Sequence, residues 1–144
     1  MPQQHTADGA DLAPPLCWSA VPPETKSLAI ICEQPDGPAK GFVHWVLFDI
    51  APTLPELPGQ STKEQIPQSA KPGINDFGEL GYAGPRPAAL SEERYAFTIY
   101  ALDKTLDLDL AATRDQVRNA MENHILAQGQ LVGRYLGSNL AKQT

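Results

Sequence analysis

The residues best suited to chemistry in this chain are few and far apart. His44 lies inside the apolar run Phe42-Val43-His44-Trp45-Val46, Asp36 lies in the turn Gln34-Pro35-Asp36-Gly37-Pro38, and Glu92-Glu93 precede Arg94. An imidazole can donate or accept a proton near neutrality, and a neighbouring carboxylate can orient it or exchange that proton. His44 with Asp36 or Glu93 is therefore a candidate acid and base pair for a hydrolase. A triad also needs a nucleophile within hydrogen-bond reach of the histidine, and none stands out beside His44. Ligand binding is thus the preferred reading, with no catalytic residue assigned. The sequence holds no Gly-x-Ser-x-Gly, no phosphate-cradling loop ending in Lys-Ser or Lys-Thr, no His-Glu-x-x-His and no Cys-x-x-Cys. His5, His44 and His124 are widely separated, so neither a metal site nor a cofactor is expected.

The elements that must position these groups read mainly as strands. At a period of two, Gly41 to Ile50 puts Phe42, His44, Val46, Phe48 and Ile50 on one face and Val43, Trp45, Leu47 and Asp49 on the other. Both faces are mostly apolar, which places this strand in the middle of a packed structure. Leu28, Ile30 and Cys32 alternate with Ala29 and Ile31 in a second buried strand, joined to the first through the proline turn. Arg94 to Leu102 is a third. Thr113 and Gln116 form a capping box, and Val117, Ala120, Met121, His124 and Ile125 follow at helical spacing, which predicts a helix from Arg114 to Leu126 with His124 as a core contact. Leu131 to Leu136 reads as a last strand. Ala51 to Ala70 reads as a loop. Gly73 to Gly78 and Gly81 to Pro87 mix glycine with Asn75, Asp76, Phe77 and Tyr82, the composition of a loop held in a defined shape. There Asn75 and Asp76 are expected to fix the backbone. Trp18 and Trp45 are expected in the core.

A chain of 144 residues is the size of one domain, and its 14 Pro and 11 Gly favour turns and short strands over a helix bundle. The formal charge of -6 offers no basic stripe for nucleic acid. Cys17 and Cys32 lack metal-ligand spacing and read as reduced thiols. No basic-then-apolar leader and no long apolar run is visible, so the expectations are no membrane span and a cytoplasmic location.

Five stretches in order carry a resemblance: Gln34-Pro35-Asp36-Gly37-Pro38, Phe42-Val43-His44-Trp45-Val46, Asn75-Asp76-Phe77-Gly78, Gly81-Tyr82-Ala83-Gly84-Pro85, and Arg94-Tyr95 through Ala101-Leu102-Asp103. Together they resemble the phosphatidylethanolamine-binding protein family, in particular its bacterial Raf-kinase-inhibitor-like branch, over about Pro2 to Tyr135. The resemblance implies an antiparallel β-sandwich with short helices at its edge, here one 1–144 domain with a short C-terminal helix. It also implies a small anion pocket for a phosphorylated headgroup, and a protein partner to be modulated. Carried over by position, the pocket residues are Asp36, His44, Gly84, Pro85 and Tyr95. For Asp36 the alternative remains that it only caps its turn.

Two positions depart from that pattern. Gln34 stands where the family has the first aspartate of the turn, and Glu93 where it has a histidine before Arg-Tyr. Counting Asp36 and Glu93 against His44, the pocket is expected to prefer neutral or cationic groups. A carboxylate about 4 Å from a phosphate charge opposes it by roughly 4 kcal/mol at an effective dielectric near 20, more than the roughly 1.5 to 3 kcal/mol of a charged hydrogen bond. The chain also begins at the point matching the segment after the family's first strand. An absent edge strand would leave a sheet edge open, and a homodimer is the expectation that follows. The sharp family turn further suggests a cis peptide at Gly37-Pro38.

Overall fold

The computed structural model describes residues 6, 11, 13–14, 16–18, 21–37, 39–53, 56–57, 67, 69–85 and 92–136. Its elements are β1 (Leu16–Cys17), β2 (Ser27–Glu33), β3 (Val43–Ile50), β4 (Glu56–Leu57), β5 (Lys71–Pro72), β6 (Glu92–Leu102), α1 (Arg114–Met121) and β7 (Ile125–Leu136). An antiparallel five-stranded sheet runs β5-β3-β2-β6-β7, and β1 pairs with β4 in a second, two-stranded sheet. The fold is mainly β with one short helix, as the strand patterns predict. The His44 strand β3 is an interior strand buried on both faces, as its apolar pattern predicts, and β2 beside it is the middle one of the five. The Gly37-Pro38 peptide lies outside the described residues, because Pro38 does.

Each face of the large sheet buries one apolar cluster. On one face Leu28, Ile30, Cys32, Trp45, Leu47, Tyr95 and Phe97 pack together, with Leu16, Trp18 and Val21 laid against them. On the other, Ala29, Ile31, Val46, Phe48, Tyr100 and Leu102 meet Leu106, Val117 and Met121. The alternation of β2 therefore reads correctly from sequence. Strand β3 does not keep the simple alternation, for two reasons visible in its pairing. Cys32 faces Trp45 and Glu33 faces Val43, which leaves His44 as an extra residue; Leu28 faces Ile50 and Ile30 faces Leu47, which leaves a second irregularity at Phe48 and Asp49. Each bulge shifts the phase by one residue, so Val43 joins Val46 and Phe48, and Ile50 joins Trp45 and Leu47. Asp49 has a left-handed backbone, φ 54°, and its carboxylate accepts from the Leu106 amide at 2.8 Å and the Asp107 amide at 3.3 Å.

The capping box at the start of α1 forms as its sequence requires. Gln116 N–H donates to Thr113 Oγ1 at 3.1 Å, and Thr113 N–H donates to Gln116 Oε1 at 2.9 Å. Arg114 donates to Glu33 at 2.7 Å and to the Gly41 carbonyl at 2.9 Å, and Arg118 also pairs with Glu33, which ties the helix to the β2–β3 connection. The helix stops at Met121, short of the expected end at Leu126. Asn123 takes φ 68°, His124 N–H closes a turn on the Met121 carbonyl at 2.9 Å, and Ile125 starts the strand that pairs with β6 as far as Leu136. The reason is long-range pairing, which overrides a local helical pattern. His124 is consequently no core contact: its Nδ1 lies 2.7 Å from Asp103 Oδ1 in a partly exposed pair.

Among the described residues no helix is long and apolar enough to cross a membrane.

Candidate functional site

The bulge in β3 determines where the imidazole goes. Because His44 has no partner residue on β2, its side chain and backbone turn to the neighbouring loop instead. Ala83 N–H donates to the His44 carbonyl at 2.9 Å, and His44 Nδ1 lies 2.8 Å from the Ala83 carbonyl oxygen. That oxygen can only accept, so Nδ1 carries a proton. His44 Nε2 lies 2.9 Å from the Gln34 side-chain amide. Gln34 is itself held by backbone bonds across the β2–β3 connection, Gln34 N–H to the Phe42 carbonyl at 3.0 Å and Gly41 N–H to the Gln34 carbonyl at 2.8 Å. Both His44 and Gln34 are buried, 2% and 4% exposed.

Asn75 braces the loop that meets His44, as expected, while Asp76 ties that loop to β3. Asn75 Oδ1 accepts from the Phe77 amide at 2.9 Å and the Glu79 amide at 3.1 Å, and its Nδ2 donates to the Gly81 carbonyl at 3.0 Å. Asp76 Oδ2 accepts from the Val43 amide at 2.8 Å, next to the bulge. Gly84 N–H donates to Asp11 Oδ1 at 2.6 Å, so Gly84 acts through its backbone, and Gly84 and Pro85 are buried.

Aromatic rings surround the imidazole. Its centroid is 5.1 Å from Tyr95, 5.2 Å from Phe42 and 5.5 Å from Phe77, and Phe42 and Phe77 stand edge to face at 4.8 Å. Tyr95 is buried, while Phe42 and Phe77 keep partial exposure, so these two rings link His44 to the surface. Tyr95 O–H donates to Glu93 Oε2 at 3.3 Å, which brings the Glu93 carboxylate to the same group.

Asp36 is engaged by a residue of β6. It pairs with Arg94, both side chains being about half exposed. The hydrogen bond from Arg94 holds its carboxyl below the ordinary range against an opposing desolvation, with further help from the charges of Arg94, Arg134 and Lys40. Its negative charge is therefore balanced locally, and Glu93 remains the acid that reaches the aromatic group through Tyr95. Of the seven expected residues, the structure links Gln34, His44, Tyr95 and Glu93 by direct contacts, and it ties Asp36 to Arg94.

Phe42 was placed on the face of His44 by the sequence, whereas Phe77, Ala83, Asp11 and Arg94 were not assigned to this neighbourhood. Ala83 acts through a carbonyl and left no side-chain signal to find. Phe77 could have been suspected as an aromatic residue in an Asn-Asp-x-Gly loop, where a core position is not required. A separate cleft of about 450 Å³ opens elsewhere, bordered by Leu16, Trp18, Ile30, Phe97, Ile99 and Leu131, and His44 does not line it. Among the described residues no cluster of His, Cys, Asp and Glu is arranged to hold a metal ion.

A family model described as phosphatidylethanolamine-binding protein matches residues 1–136. A UPF0098 protein of Methanothermobacter thermautotrophicus is 43% identical over 136 residues, covering 94% of this chain and 89% of the relative. Another from Aquifex aeolicus is 39% identical over 137 residues, covering 94% and 80%. Among solved structures, the CT736 homologue of Chlamydia trachomatis superposes with a TM-score of 0.84 at 36% identity, covering 94% of this chain and 88% of the other. YbcL of E. coli superposes with a TM-score of 0.86 at 27% identity, covering 95% and 90%.

Proposed function

Since the chain belongs to the phosphatidylethanolamine-binding protein family, we propose that it binds a small ligand beside His44 and that this pocket favours neutral or cationic groups over anions. The observation that carries this reading is the arrangement of half-buried Phe42 and Phe77 on His44, with the Glu93 carboxylate at the Tyr95 hydroxyl. Aromatic faces attract an alkylammonium through their quadrupole, and a nearby carboxylate adds to that attraction. The same carboxylate opposes phosphate. A hydrolase using His44 with Asp36 or Glu93 is the weaker reading, because both ring nitrogens face protein groups and Asp36 faces Arg94.

Calorimetry with inorganic phosphate, phosphoethanolamine and ethanolamine, on the natural protein and on Glu93→His, reads the binding directly. Weak phosphate binding by the natural protein and a gain in the variant are expected. Tight phosphate binding by the natural protein, or no gain in Glu93→His, would refute the reading. Turnover of generic ester or phosphate substrates that disappears in His44→Ala would move the assignment to a hydrolase.

A homodimer is part of the same proposal. Among the described residues β7 is an outer strand of the large sheet that pairs on one side only, with Leu131 and Val132 exposed, and an open sheet edge is ordinarily covered. A monomer by light scattering at micromolar concentration would remove it. The free thiols of Cys17 and Cys32 agree with a reducing, cytoplasmic setting, in which modulation of a protein partner is the family-based extension of the binding role.

A further inference from the structure

Ala83 is bonded to His44 at both of its backbone groups. Its N–H donates to the His44 carbonyl at 2.9 Å, and its carbonyl oxygen accepts from His44 Nδ1–H at 2.8 Å. The next donor along the chain, Gly84 N–H, points to Asp11 Oδ1 at 2.6 Å. The Ala83 carbonyl and the Gly84 N–H belong to one peptide group. Such a group is planar and its C=O and N–H point in opposite directions, so fixing one direction fixes the other. A carboxylate is the stronger kind of acceptor for a backbone N–H, and this contact is a short one.

The movement left to the peptide group is rotation as a whole. That rotation would carry the Ala83 oxygen away from the ring and turn the Gly84 N–H away from Asp11. Ala83 and Gly84 are both buried, and a buried N–H that loses its acceptor costs about as much as a lost hydrogen bond, so Asp11 opposes the rotation. The two bonds also support each other, because an anion at the N–H end of a peptide strengthens its oxygen as an acceptor. Around the ring, Phe42, Phe77 and Tyr95 fill space but lack the directional hold of a hydrogen bond.

We infer that Asp11 is a positioning residue of the His44 site: it locks the peptide group between Ala83 and Gly84, and through that group it sets the direction of the His44 ring. A segment 73 residues before Gly84 thereby supports the site. This role serves the binding function proposed above and needs no ligand to be read, so the two fail separately, one by ligand calorimetry and the other by the ring proton.

In the natural protein, ring ¹⁵N correlation spectra with His44→Ala to identify the signal should show a His44 Nδ1–H protected from exchange with water. A ring protonated on Nε2 alone would overturn the inference. In Asp11→Ala, exchange of that proton should be at least about tenfold faster. Asp11→Asn keeps an oxygen acceptor and should stay closer to the natural protein than to Asp11→Ala. Thr113→Ala, a destabilised variant at the far helix cap, should leave the exchange unchanged. An unchanged rate in Asp11→Ala, a rate in Asp11→Asn equal to that of Asp11→Ala, or an equal acceleration in Thr113→Ala would each refute the role. Should Asp11→Ala not fold, the natural protein decides: the Gly84 amide proton should shift together with the titration of the Asp11 carboxyl, followed by its ¹³C signal, and an amide proton that does not follow it would overturn the inference.

Discussion

Replacing Gly73 by alanine should collapse the loop that supports His44. A Cβ built on Gly73 would lie 2.5 Å from the Ala112 carbonyl oxygen and 2.7 and 2.8 Å from Val46 Cγ1 and Cβ. Ordinary carbon-to-carbon contact is about 3.5 to 4.0 Å, so each overlap is close to about 1 Å. None of the obstructing atoms is the far end of a flexible chain: one is backbone, and two belong to a β-branched residue buried in β3. The loop must therefore move, and three hydrogen bonds move with it, Gly73 N–H to Val46 O at 2.8 Å, Ile74 N–H to Ala112 O at 3.0 Å and Gly81 N–H to Gly73 O at 3.0 Å. Overpacking of a close-packed site costs about 1 to 3 kcal/mol, and a weakened hydrogen bond about 0.5 to 1.5 kcal/mol. With partial relaxation, a loss of about 3 kcal/mol is expected. Gly78 gives the control, since its φ is 79° while nothing lies within 4 Å of a Cβ added there. Gly78→Ala should cost only the left-handed backbone strain, about 1 to 2 kcal/mol. Urea unfolding of both variants measures the two losses. A Gly73→Ala cost below that of Gly78→Ala would refute the steric argument.

Thr113→Ala removes both the side-chain acceptor and the capping box, and urea unfolding should show a loss of about 1 kcal/mol. Burial, with a smaller contribution from Glu33, pushes the Cys32 thiol well up, while Cys17 is exposed. A thiol reagent at about pH 8 should therefore modify Cys17 quickly in the native protein and Cys32 only after denaturation; equal native rates would contradict the buried placement. For Asp36 the carboxyl is lowered in the fold, first by the Arg94 hydrogen bond. The pairing thus favours the folded state above the ordinary carboxylate range and is lost as pH falls through the lowered value. Arg94→Gln should move the Asp36 titration, followed by carboxyl ¹³C shifts, upward toward that range, and an unmoved titration would show that Arg94 is not the cause.

Local signals in the sequence determined much of this protein. The alternation in Leu28–Cys32 needs only a strand covered on both faces, and Thr113 with Gln116 needs only its own short segment to cap a helix. Asn75 could be assigned to the loop backbone because a short polar side chain reaches amides close by in sequence, whereas Asp76 reaches the distant Val43 amide of β3, which no local window shows. Ile125 and Leu126 could not be read this way. Their helical spacing continues that of α1, yet β6 offers them a backbone ladder far upstream, which no local window contains. Nor could the period of two survive in β3, where extra residues at His44 and Asp49 are defined only by the strand opposite. The partners of Asp36 and His44 were hidden for the same reason: Arg94 and Ala83 are brought to them by the sheet and its loops. The sequence alone located the imidazole and the acids, and the tertiary structure decided which of them meet, because bulge phase, strand pairing and burial depend on residues far apart in the chain.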